Sequence, residues 1–315
     1  LLPNYSLQNL GVFAIERRVT EKWELEAGLR YDIKEIETHR PKANFSQSIL
    51  RSKHHFAGVS GSLGLTYHWN PLTESLFTIS RAFRAPGANE LFSNGVHHGA
   101  AAYEKGNINL QPEVAHNFSV TAEYSGSKWA WEISPYLNLI NDFIYLKPRV
   151  ENGEIQTVLS VRGAFPAFDY TQVDARFAGV DASVKYLISK HFTITEKYSM
   201  VRAKDTRNNV YMVNIPADRL ESSLRYTFGK NQAYVSLTNL LVARQTRVEA
   251  NSDFLAPPAG YSLWSMNASY PYKNFTFGLG VSNLLNKSYR DYMNRFRYFT
   301  DEMGRNISLR VQYRF

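Results

Sequence analysis

Two adjacent histidines, His97 and His98, sit between Gly95 and Gly99 in the stretch NGVHHGAAAYEKGNINL, residues 94–110. Neutral imidazole is a common protein ligand for zinc and also serves heme iron. Tyr103 and Glu104 follow closely enough to complete either kind of site. Of the eight histidines, His39, His54, His55 and His116 lie in or beside the same set of long connections, so six belong to one side of the chain's organisation. His97, His98, His54 and His55 form the candidate metal set. The competing reading of the pair is a polar dipeptide in a glycine-shaped turn, with no ligand. No Gly-x-Ser-x-Gly elbow, His-Glu-x-x-His helix or P-loop occurs, and with no cysteine there is no thiolate metal site or thiol nucleophile. These absences predict that the chain is not an enzyme and holds no tightly bound cofactor.

The elements that must position these side chains have a period of two. The last ten residues alternate strictly, with Ile307, Leu309, Val311, Tyr313 and Phe315 apolar and Ser308, Arg310, Gln312 and Arg314 polar. The same alternation runs through Trp23 to Ile33, Phe118 to Tyr124 and Phe275 to Val281. A two-residue period means strands with one apolar and one polar face. It predicts about 13 strands, near residues 5–19, 23–38, 55–69, 74–84, 113–126, 129–148, 165–188, 192–204, 211–229, 232–248, 262–272, 275–290 and 304–315.

Connections of two kinds alternate along the chain. VTEK, NPLTE, SGSK, ISKH, GKNQ and PYKN are short turns, while residues 39–54, 85–112, 149–164, 205–210, 249–261 and 291–303 are mostly long. Short turns on one side and long loops on the other describe an antiparallel up-and-down transmembrane β-barrel. A soluble protein would need one very large core to cover so many aromatic-rich faces, whereas lipid accepts each separately. The 20 Tyr and 19 Phe suit that solvent, and Trp23, Trp69, Trp129 and Phe315 gather near strand ends where bilayer interfaces lie. No apolar run is long enough for a transmembrane helix. The net charge of +8 suits anionic ligands or lipopolysaccharide phosphates, while clustered Lys and Arg for nucleic acid are missing. The opening LLPNYSLQNLGVF is not an intact signal peptide, which predicts a chain that starts partway through a longer one.

Three stretches resemble the TonB-dependent outer-membrane receptors: ISRAFRAPGANELF (79–92), EKGNINLQPEVAHNFSVTAEY (104–124) and VSNLLNKSYRDYMNRFRYFTDEMGRNISLRVQYRF (281–315). The motif residues are Phe83, Arg84, Ala85 and Pro86, then Asn107 and Leu110, then Gly304 and Arg305. The resemblance implies a barrel of about 22 strands enclosing an N-terminal plug. Residues 1–315 would then be its C-terminal portion, with plug and first strands outside this sequence. It further implies that Phe315, Tyr313 and Val311 are the signal read by the barrel-assembly machinery of a Gram-negative bacterium. The C-terminus would be periplasmic and the long loops extracellular.

In heme receptors of that family a histidine lies between a Phe-Arg-Ala-Pro turn and an Asn-Pro-Asn-Leu box. Here His97 and His98 lie between FRAP (83–86) and NINL (107–110), with Ile108 in place of the proline. A zinc-uptake branch has a similar loop. The expected function is outer-membrane uptake of a scarce metal chelate, namely ferric siderophore, heme or zinc, driven through TonB. The expected partners are the bilayer, lipopolysaccharide, the receptor's own plug and the TonB complex. Lumen-facing Arg30, Arg225, Arg310, Arg314, Glu24, Glu26, Glu123 and Glu221 suit contact with the plug. Arg84 and Glu90 are expected to fix the loop around GANELF by pairing or capping. The alternatives are a passive porin-like channel and a surface binding or adhesion barrel.

Overall fold

A computed structural model describes residues 1–39, 52–152, 154–161, 163–249 and 252–315. Most of the connection at 39–54 lies outside the described residues. Thirteen long strands follow in order: β1 (Tyr5–Val19), β2 (Trp23–Thr38), β3 (Lys53–Asn70), β4 (Thr73–Arg84), β5 (Glu113–Ser125), β6 (Trp129–Pro148) and β7 (Gly163–Leu187). The rest are β8 (Phe192–Asp205), β9 (Arg219–Phe228), β10 (Ala233–Val242), β11 (Tyr261–Tyr272), β12 (Phe275–Ser282) and β13 (Asn306–Tyr313). Each pairs antiparallel with the next, giving the up-and-down partial barrel that the alternation predicts.

Direct cross-strand partners share a face of the sheet, so the ladders sort the side chains. Ile79, Phe118, Leu137 and Ala178 form one register line, and Ser80, Asn117 and Asn138 form the neighbouring line on the opposite face. Asn117 donates its amide to Asn138 at 2.6 Å on the polar face. The apolar face is bare, with Leu10 66%, Ile79 56% and Leu309 81% exposed. Apolar surface on that scale requires a hydrocarbon solvent.

Several predicted strands are shorter than expected. The strand expected over 211–229 begins at Arg219, because Asn214 takes a left-handed φ of 57° and Pro216 follows it. The strand expected to reach 248 stops at Val242, and Gln245 instead donates to the carbonyls of Ile215 and Pro216. The strand expected to reach 290 stops at Ser282, where Asn283 and Asn286 both adopt positive φ. The last strand stops at Tyr313, leaving Phe315 fully exposed beyond it.

Near the long-loop end, the β6–β7 ladder shifts register between Val173 and Ala175, opposite Asp142 at φ 55°. Such a bulge bends and twists a hairpin. Beyond it, residues 167–169 of β7 also take up a short parallel segment, Ala102–Lys105, from the loop 85–112. That pairing stitches the histidine-bearing loop to the wall.

Candidate functional site

The loop 85–112 is built from the FRAP turn upward. Arg84 at the end of β4 grips Glu113 through Nε and Nη2 at 2.5 and 2.7 Å and Glu90 through Nη1 at 2.9 Å. Lys34 of β2 donates to the Pro86 carbonyl at 2.8 Å. The Glu90 carboxylate also accepts the Gly87 amide at 2.7 Å, capping the short helix α1 (Ala88–Phe92). Glu90 therefore both pairs and caps, as expected for it and Arg84. Ala85, Ala88, Leu91, Phe92 and Leu110 then pack on Ile36, Phe56 and Ile144 from three strands, with Phe83 against the same cluster. Asn107 donates its backbone amide to the Glu90 carbonyl at 2.9 Å, and its side chain turns the chain by accepting from Asn109. The motif residues thus seat the loop.

After α1 the chain makes a hairpin, Asn94–His97 against Ala102–Lys105, closed by a single 3-10 turn over His98–Ala100. In the return strand Tyr103 and Glu104 point to opposite faces, since neighbours in a strand alternate. The Tyr103 hydroxyl donates to Asn94 Oδ1 at 2.5 Å, and the Arg149 guanidinium lies over its ring at 5.4 Å. Glu104 is 3% exposed, and its Oε1 lies 2.8 Å from Arg295 Nη1 and 3.2 Å from His97 Nδ1. Tyr103 and Glu104 therefore do not converge on one ligand, and Glu104 touches His97 and Arg295 instead.

The geometry fixes the histidine's chemistry. A carboxylate paired with Arg295 can only accept, so Nδ1 of His97 is the donor in this contact. The His97 side chain remains 47% exposed. A carboxylate that accepts from one imidazole nitrogen is the usual support for a histidine that binds metal through the other.

The four-histidine metal set is not assembled. His54 and His55 are successive residues of β3 and face opposite sides of the sheet. His54 bonds Ser52 Oγ at 2.8 Å and lies 5.5 Å from the Phe92 ring, between the loop helix and the wall. His98 opens the 3-10 turn and is exposed. Among the described residues, no three of His, Asp and Glu gather in the manner of a metal-holding group.

A second buried tie links loops that are far apart in sequence. Arg297 is 3% exposed, ion-paired to Asp253 and stacked 4.5 Å from both the Tyr292 and Tyr298 rings. Tyr298 donates to Asp253 at 2.6 Å, and burial pushes its phenol well above the usual range. Phe254 and Tyr298 pack on Phe168 and Leu146 of the projecting hairpin, beside Ala100 and Ala102. The segment 291–303 thus holds the histidine loop twice, through Arg295 on Glu104 and through this cluster. Its partners lie up to 191 residues away in sequence, so only the run RFRYF, rich in Arg and aromatics, hinted at such a role. At the foot of the same segment, Arg305 donates its amide to Asn286 Oδ1 at 2.9 Å, and a Cβ on Gly304 would meet that oxygen at 2.8 Å. Gly304 and Arg305 close a turn.

Comparison with known proteins adds the relatives. The family described as TonB dependent receptor-like, beta-barrel, matches residues 2–284. Heme/hemopexin utilization protein C of Haemophilus influenzae (strain ATCC 51907 / DSM 11121 / KW20 / Rd) is 25% identical over 299 residues, covering 86% of this chain and 39% of that protein. The protein of the same name from strain 86-028NP is 24% identical over 315 residues, covering 94% of this chain and 41% of its own. Among solved structures, the copper transporter OprC superposes with a TM-score of 0.82 at 21% identity, over 99% of this chain and 49% of that one. The FrpB iron transporter from Neisseria meningitidis (F3-3 variant) gives 0.71 at 16% identity, over 100% and 46%. These structural likenesses establish the barrel fold, and the chain spans less than half the length of each relative.

Proposed function

Because this chain belongs to the TonB-dependent receptor-like β-barrel family, we propose that it is the C-terminal part of an outer-membrane receptor that takes up heme by TonB-coupled active transport. The family is one of receptors and not of enzymes. The observation that carries the cargo is His97, half exposed, with its Nδ1 held by buried Glu104. Heme brings four nitrogen ligands of its own and asks the protein for one or two axial groups. Zinc asks for three or four protein ligands, and the described residues do not gather them. A ferric siderophore would need no imidazole at all. The curated relatives named for heme utilization lean the same way.

In this reading residues 1–315 are the C-terminal portion of the barrel, and the plug and first strands belong to the longer protein. The long loops are extracellular, so His97 meets cargo arriving from outside, with His98 beside it. The plug contacts the polar face and answers to TonB across the periplasm. Phe315, Tyr313 and Val311, at the exposed end of β13, present the periplasmic terminus to the assembly machinery.

The test is heme titration of the complete receptor, read by the Soret band, against the variant His97→Ala with His98→Ala. The variant is expected to lose the shifted Soret band and bind at least tenfold more weakly, consistent with loss of a metal contact, while its circular dichroism is unchanged. Superimposable titration curves would overturn the assignment and return the cargo to siderophore or zinc.

A further inference from the structure

Partway up the bilayer side of the sheet, the apolar face is interrupted by polar side chains that the uptake reading does not use. Glu196 on β8 is the direct partner of Val184 on β7 and of Ser222 on β9, Ser222 of Asn239 on β10, and Asn239 of Trp264 on β11. The next line below on the same face is Tyr186, Ile194, Leu224, Leu237 and Met266. Cross-strand partners share a face, so Glu196, Ser222 and Asn239 stand on the hydrocarbon side. Leu220 and Leu224 flank Ser222 along β9, and Leu237 and Leu241 flank Asn239 along β10, all four exposed.

Their depth follows from the two borders of that face. On β8, Phe192 marks the short-turn end, its ring 4.8 Å from that of Tyr226, and Arg202, ion-paired to Asp218, marks the long-loop end. Glu196 is four residues above Phe192 and six below Arg202. At about 3.4 Å per residue and a tilt of about 40°, it stands about 10 Å above the lower border, near the middle of the ~25 Å apolar band of such barrels.

The group has unmet hydrogen bonds and no counter-charge. Lys197, the next residue, is on the polar face with Glu221 at 3.4 Å. The Ser222 hydroxyl donates to the Glu196 carboxylate at 2.5 Å, and no cation pairs with that carboxylate among the described residues. Asn239 donates to Ser262 Oγ and the Leu263 carbonyl at 2.6 and 3.3 Å, which leaves its Oδ1 without a donor among the described residues. The Tyr198 hydroxyl, two residues above Glu196 on the same face, also has no hydrogen bond there. With no water at this depth, polar and ionisable groups persist where a protein surface covers and satisfies them.

The unmet groups include a donor, Tyr198, and an acceptor, Asn239, so the patch is complementary to itself, as a two-fold interface requires. Register lines run across tilted strands and change height by about 3 Å per strand at the usual ~4.8 Å spacing. This one climbs from β8 to β11, since Trp264 is eight residues above Tyr272 at the short-turn end, against four for Glu196 above Phe192. Asn239 is then about 3 Å above Ser222, and Tyr198 about 2 Å above it. A two-fold axis along the membrane normal at Ser222 brings β8 of one copy opposite β10 of the other, with Tyr198 level with Asn239 of the partner subunit. We propose that the receptor pairs with a second copy of itself in the membrane across this face. Tyr198 donates to Asn239 of the partner subunit, Glu196 and Ser222 are shielded at the axis, and the four leucines pack around them. The inference rests on the barrel standing in a bilayer, not on the cargo or on which end is outside.

The complete receptor, in two differently labelled pools, is reconstituted into phosphatidylcholine vesicles, and energy transfer between copies is followed as lipid is added. The wild type is expected to keep its transfer on dilution, beyond what random proximity gives. Tyr198→Phe with Asn239→Leu is expected to pair about tenfold more weakly, as loss of hydrogen bonds between membrane-embedded segments implies. In a second measurement, Ser222→Cys is expected to be joined to its counterpart by a short bis-maleimide, whereas Ile133→Cys, on the same face of β6, is not. The cysteine variants cover failure of the double variant to fold. Transfer in the wild type no greater than random proximity, equal transfer in wild type and double variant, or cross-linking at Ile133 as readily as at Ser222 would each overturn the proposal. So would a Ser222 cross-link made to a different protein in whole membranes and not to a second copy.

Discussion

Replacing Glu104 by Gln tests whether the buried carboxylate serves His97 or only the loop. The substitution keeps size and leaves an oxygen that can accept from both Arg295 and His97, as Oε1 does at 2.8 and 3.2 Å. What it removes is the charge. A hydrogen bond to a charged group is worth about 1.5–3 kcal/mol. Arg295 and His97 are 41% and 47% exposed, so water replaces part of the loss and the lower end applies. Converted at about 1.4 kcal/mol per factor of ten, the expected change in heme affinity is roughly tenfold, within the 10–100-fold range for outer-shell partners of a metal ligand. Glu104→Ala removes both hydrogen bonds and should fall toward the hundredfold end of that range. The assay is Soret titration of the complete receptor, with limited proteolysis across 85–112 as the control for loop order. If Glu104→Gln binds heme within twofold of wild type with an intact loop, the carboxylate does not act through His97 and the reasoning fails.

Arg297→Ala strands Asp253, whose side chain is 4% exposed, and should cost the loop cluster about 3–5 kcal/mol, seen as faster amide exchange over residues 291–299; Arg297→Met with Asp253→Leu should recover most of it. Gly106→Ala brings a Cβ to 2.6 Å from the Leu91 carbonyl and should destabilise the loop by about 1–3 kcal/mol, measured as lost exchange protection in Ala88–Phe92. The Asp218 carboxyl is held below its usual range by its hydrogen bonds and charge pairing with Arg202. A depressed folded pKa contributes stability above the unfolded value near 3.9, lost as pH falls through the folded one. Proteolysis near residue 218 should therefore stay constant from pH 7 to about 5 and rise only below about pH 4. Leu309→Arg on the bilayer face should cost up to about 2–4 kcal/mol in folding into lipid, while Ser308→Arg, one residue away and on the polar face, should cost little.

The fold was legible because one physical rule governs most of the chain. A strand between lipid and a wet lumen must alternate, and the runs around Trp23, Phe118, Phe275 and Ile307 each display that rule over many residues. Strand ends were less legible. Asn214, Asn283 and Asn286 stop strands through left-handed backbone, and an asparagine in sequence signals that choice only weakly. The bulge at Asp142 and Asp174 was silent, since nothing local distinguishes those aspartates from others on the polar face.

At the site the histidine count misled, because His54 and residues 94–110 were expected in connections, whereas the structure extends strands through them and so puts His54 and His55, and likewise Tyr103 and Glu104, on opposite faces. What no periodicity reveals is the pairing of Glu104 with Arg295, because that contact exists only once the barrel has curved and brought 291–303 over 85–112. The curvature that hides the contact from the sequence also gives it its consequence. Arg295 and His97 share one carboxylate oxygen, so a movement of the 291–303 loop that withdraws Arg295 alters the support under the His97 imidazole. On the heme reading proposed above, cargo at His97 and the position of that distant loop would be coupled through a single buried atom, Oε1 of Glu104.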